Sequence, residues 1–74
     1  MNMNFQIRDA ITANMQGNSA EDIRGVIDDA ISRGEEHLLP GLGVIFEKFW
    51  QHADPAEKQN VLADLESAFG KKVQ

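Results

Sequence analysis

Apolar residues return at helical spacing in four stretches of the chain, each closed by a glycine or by an Asp-Pro pair, and this pattern predicts an all-α fold. In the first stretch, about residues 4–16, Ile7, Ile11 and Met15 recur every four residues with Met3, Ala10 and Asn14 beside them. Gly17 then supplies a left-handed cap at no steric cost. The second stretch, 20–33, opens on Ser19 as N-cap, and Asp22 three residues on completes a capping box. Ile23, Val26, Ile27, Ala30 and Ile31 form its apolar stripe, Asp29 and Arg33 stand four apart in the favourable order, and Gly34 ends it. Gly25 falls on the opposite face, where glycine costs about 1 kcal/mol relative to alanine, and only a partner backbone close by would account for it.

The third stretch, 40–53, carries the largest side chains. Pro40 suits a first helical position, because its missing N–H would be unpaired there. The residue before a proline is pushed out of the α region, so Leu39 is expected to mark a boundary, after an acidic link Glu35–Leu39 with room for a turn of its own. At 100° per residue, Leu42, Ile45, Phe46, Phe49, Trp50 and Ala53 share an arc of roughly 140°, wide enough for more than one neighbour. This helix is therefore expected at the centre. Gly43 lies beside Trp50 and Gly41 beside Ile45, and close approach of another backbone is the expected compensation for glycine there. Asp54, Pro55 and Glu57 then form N-cap, first position and capping box of the fourth stretch, 55–69. Its expected buried stripe is Val61, Leu62, Leu65, Ala68 and Phe69, with Gly70 as the stop. IRDAI at Ile7–Ile11 and IRGVI at Ile23–Ile27 look alike, but two fragments do not make a repeat.

Size sharpens this into a single helical domain over residues 1–74, a compact bundle of four short helices. So short a chain buries only ~60% of its unfolded surface, so a stable monomer needs nearly every large apolar side chain inside. The absence of cysteine excludes disulfide and thiolate chemistry. MNMNFQIRD has neither a basic start nor a continuous apolar run, so no signal peptide is expected. Leu38–Phe46 falls far short of the ~20 residues that span a bilayer, so a soluble protein without membrane contact is expected.

The net charge is −5, with three Arg against five acids in the first 34 residues and four Lys against seven acids in the rest. Neither half attracts phosphate, which disfavours a nucleic-acid partner. The one basic cluster, Lys71–Lys72, reads as a solvated helix end.

Candidate chemistry is thin. His37 and His52 lie fifteen residues apart, whereas helical metal sites place ligands at i, i+3 or i, i+4; Glu35, Glu36 and His37 read as a solvated linker. His52 reads as a capping or packing residue near a helix C-terminus. Asp28 and Asp29 point about 100° apart on a helix and form no dyad. Ser19 has a capping role, and neither Ser32 nor Ser67 has a local base. PGLG at Pro40–Gly43 lacks the lysine and hydroxyl of a phosphate loop and follows no strand. No enzyme activity, cofactor, metal or small-molecule substrate is expected. An apolar stripe at helical spacing is usually core; the competing reading exposes part of it to a protein partner or a second copy, through Gly41, Leu42, Gly43, Phe46 and Trp50.

The segment GEEHLLPGLGVIFEKFWQHA, with the opening NFQIRDAITANMQGNS, closely resembles the I-type minor small acid-soluble spore proteins of Bacillus-like bacteria. The likeness runs over nearly the whole chain and is weakest in the tail after Phe69. It implies synthesis in the developing forespore and residence in the spore core, a cytoplasmic compartment, with no catalytic residue to carry over. It does not imply the DNA coating of the major α/β-type spore proteins, a different family. The expectation is a non-enzymatic spore-core protein acting by protein–protein contact or as a structural constituent. The alternatives are a nucleic-acid-associated spore protein, which would need Arg8, Arg24 and Arg33 to converge, and an amino-acid reserve degraded at germination.

Overall fold

The computed structural model describes residues 3–70, with side chains from Ile7 to Gly70. Four α-helices follow one another: α1 (Met3–Met15), α2 (Ala20–Arg33), α3 (Leu39–His52) and α4 (Pro55–Phe69), with a 3-10 turn at Glu36–Leu38. The all-α class and the four helices are as the apolar pattern predicts. Met3's side chain and the Lys71–Lys72 pair lie outside the described residues.

The helix ends are built by the side chains that the spacing singled out. Ser19 Oγ accepts from the Asp22 N–H at 3.1 Å, while Asp22 Oδ2 accepts from the Ser19 N–H at 3.1 Å. Asp54 Oδ1 accepts from the Glu57 N–H at 2.8 Å, and Glu57 Oε1 from the Asp54 N–H at 2.9 Å. Both are complete capping boxes, satisfying N–H groups that helix geometry leaves unpaired. Gly34 closes α2 at φ 63°, where its N–H reaches the Ala30 carbonyl at 3.1 Å. Any side chain at that φ would meet the backbone.

Leu39 marks a boundary as expected, being the first residue of α3 after the 3-10 turn, but its conformation departs from expectation: it is helical, at φ −59° and ψ −39°, rather than extended. The Leu38 N–H donates to the Glu35 carbonyl at 3.0 Å, and the Leu39 N–H to that of Glu36. The tight turn pairs these donors and delivers the chain into α3 already helical, which outweighs the local preference of a pre-proline residue.

Helix α3 is central, as expected: α1 and α2 both pack on it. The packing is shallow. Among the described residues only Val44 is buried, at 9% exposure. Val44 lies outside the arc that marked the core seam, because α1 covers a different side of α3 from the one with the largest residues. Leu42, Ile45, Phe49 and Trp50 are half-buried, and Phe46 stays 44% exposed. The expected buried stripe of α4 is also corrected. Val61 is half-buried, but Leu62, Leu65, Ala68 and Phe69 are exposed, Phe69 to 87%. The physical reason is that α4 packs on no other described helix as extensively as α1 and α2 pack on α3, so most of its stripe has no covering neighbour.

The glycines of the central helix need a second correction. A Cβ placed on Gly41 or Gly43 would meet nothing within 4 Å, and the same holds at Gly25. No backbone of the described chain makes the close approach that these glycines were expected to serve.

Candidate functional site

The surface of α3 divides into three grooves. Toward α1, Ile7, Arg8, Pro40, Gly43, Val44 and Glu47 line a hollow of about 470 Å³. Its rim is an ion pair, with Arg8 Nε on Glu47 Oε1 at 2.8 Å and Nη2 on Oε2 at 3.3 Å. The Arg8 hydrogen bond holds the Glu47 carboxyl below the ordinary carboxylate range; it outweighs the opposing effect of desolvation, and the charges of Arg8 and Lys48 add smaller pulls in the same direction. The pair joins residues 39 apart in sequence and pins α1 across α3.

A second hollow of about 410 Å³ lies between α1, α2 and α3, bordered by Met15, Ile23, Val44, Ile45, Lys48 and Phe49 among others. It is the gap left where three helices meet without closing.

The third groove, about 440 Å³, runs between α3 and α4 and is lined by Phe46, Glu47, Trp50, Gln51, Leu62 and Leu65. Its floor is an aromatic cluster. The Phe46 ring centroid lies 5.9 Å from that of Phe49 and 5.8 Å from that of Trp50, both tilted, within the range in which such rings attract. Lys58 Nζ sits 5.0 Å from the Trp50 centroid, a cation–π contact that ties α4 to α3. On α4 the stripe continues past Leu65 to Phe69, one turn further along the same face.

Of the five residues singled out from sequence, the structure brings Phe46 and Trp50 together in this groove. Gly43 borders the α1 hollow instead, and Gly41 and Leu42 line none of the three. The far wall, Leu62 and Leu65, was legible as an apolar stripe, though its exposure was not.

Charged side chains elsewhere neutralise one another. Arg24 lies between Glu21 at 4.0 Å and Asp28 at 3.7 Å, and Arg33 between Asp29 at 3.4 Å and Glu35 at 2.9 Å. The Glu35 carboxylate also faces His37 Nε2 at 3.4 Å. Each of the three arginines thus meets an acid. Among the described residues no three His, Asp or Glu side chains converge as a metal site would require, and no helix is long and apolar enough to cross a membrane.

Fold and surface together define a small, acidic, all-helical protein. The family model for "Small, acid-soluble spore protein I" matches residues 5–69, and the chain belongs to that family. Among its relatives, the small, acid-soluble spore protein I of Shouchella clausii is 48% identical over 63 residues, covering 85% of this chain and 91% of that protein. That of Bacillus mycoides is 48% identical over 69 residues (93% and 100%), and that of Bacillus subtilis 50% identical over 64 (86% and 90%). No solved structure matches the chain.

Proposed function

We propose that the chain is a non-enzymatic protein of the spore core that acts by protein–protein contact, with the α3–α4 groove as its contact surface. The observation that carries this reading is the exposure of Phe46, Leu62 and Leu65 around one groove floored by Phe46 and Trp50, with exposed Phe69 one turn beyond it on α4. A contiguous exposed apolar patch on a small protein marks an interaction site, and Trp and Phe are the residues such sites favour. Family membership supports the spore setting. The ion pairs at Arg8, Arg24 and Arg33 speak against the nucleic-acid alternative, since each guanidinium would have to leave an acid to reach phosphate.

The chain has no cysteine, so one introduced thiol labels one site. A cross-linker on Leu65→Cys in sporulating cells is expected to trap a species of discrete mass. The same reagent on Glu21→Cys, an exposed position on α2, is expected to trap none. Equal trapping from both positions, or none from either, refutes the groove as a contact surface.

A further inference from the structure

We propose that the occupant of the α3–α4 groove is a second copy of this chain, packed about a two-fold axis so that each copy's exposed stripe covers the other's groove. The inference rests on the reading of that groove as a contact surface and names its partner.

Area is the first argument. The fractional exposures of Phe46, Leu62, Leu65 and Phe69 amount to about two whole residues, or about 400 Å² of apolar surface at about 200 Å² each. A stable interface of standard size buries about 800 Å² on each partner. In homodimers about 65% of that is apolar, close to 500 Å². Four residues on one face therefore supply most of what a homodimer requires, before Trp50 is counted.

Shape is the second. The same face carries both a ridge and a hollow. Phe69, 87% exposed, projects one turn beyond Leu65, and the groove between Phe46–Trp50 and Leu62–Leu65 is roomy enough for an aromatic ring. A surface that holds a knob and its hole side by side is satisfied by a copy of itself turned through 180°, the isologous arrangement of most dimers.

Charge separates this occupant from the others. Of the charges beside the groove, Glu47 is engaged by Arg8 and Lys58 by the Trp50 ring. Two copies each carry −5, so their long-range interaction is repulsive and screening favours association. A basic protein in the groove would show the opposite salt dependence.

Sedimentation equilibrium of the full chain from about 1 µM to about 1 mM is the test, at low and high salt, over the range where contacts of this size bind. The expected result is a rise from 8.2 kDa toward twice that mass, at lower concentration in high salt. Leu65→Asp should weaken association by at least about tenfold, the ordinary cost of truncating a central contact. Ile31→Asp, at an α2 position 65% exposed and outside the groove, should leave it unchanged. A monomer over the whole range overturns the proposal, as does a dimer indifferent to Leu65→Asp or one dissolved by salt. The Leu65→Cys trap separates the two levels. A monomer in solution with a trapped species of mass other than two copies removes the second copy alone, whereas no trapped species removes the contact surface too.

Discussion

Val44→Ala is the substitution whose consequence depends most directly on how α1 meets α3. It removes about two methylene equivalents, worth roughly 1.6 kcal/mol at ~0.8 kcal/mol each when buried. Val44 is 9% exposed, so nearly all of that applies. Cavity formation would add to it in a closed core. Here Val44 borders two open hollows, toward α1 and toward the α1–α2–α3 junction, so α1 can settle and the added cost stays small. The expected loss is about 2 kcal/mol out of the ~4–11 kcal/mol that a domain of this length has. In a domain this size that lowers the melting temperature by about 8–16 °C. Far-UV circular dichroism on heating and in urea, at matched protein concentration, measures it. Ile31→Ala, at a position 65% exposed, serves as comparator and should cost less than about 0.5 kcal/mol. If both variants melt alike, Val44 is not the residue on which α1 rests, and the arc of Leu42, Phe46 and Trp50 would be the core after all.

Three further outcomes are expected. Asp54→Ala deletes one half of the α4 capping box and should cost about 1 kcal/mol in urea unfolding; no change would mean that α4 is not nucleated there. The two α2 glycines should respond with opposite signs: Gly25→Ala, with nothing within 4 Å of its Cβ, should stabilise by about 0.5–1 kcal/mol, and Gly34→Ala, at φ 63°, should destabilise by about 1 kcal/mol. The Glu47 carboxyl should titrate below the ordinary carboxylate range by NMR and return to it in Arg8→Gln. Because its folded-state value is depressed, the stability it lends is fully present above the unfolded-state value and is lost as pH falls through the folded one. An unchanged titration in Arg8→Gln would mean that the pair does not form in solution.

The helices were legible in the sequence because their causes are local. Ser19 with Asp22, and Asp54 with Glu57, lie within one turn of each other, so their capping boxes follow from spacing. Gly34 ends α2 through its own backbone freedom. The acidic balance and the absence of thiol chemistry were equally plain, and GEEHLLPGLGVIFEKFWQHA carried the family. Leu39 shows the limit of local reasoning, since the 3-10 turn before it overrode its pre-proline preference.

Which apolar residues are covered was decided by tertiary structure alone. An amphipathic stripe says that a face seeks burial, and does not say whether a neighbour arrives. Helix α1 came to rest on Val44 and clasped Glu47 through Arg8, a contact across 39 residues that no periodicity encodes. Helix α4 touches α3 at Trp50 through Lys58 without closing over it, so Leu62, Leu65 and Phe69, indistinguishable in pattern from a core stripe, remain open. Spacing along one chain determines the faces of its helices, whereas burial depends on where the other helices lie.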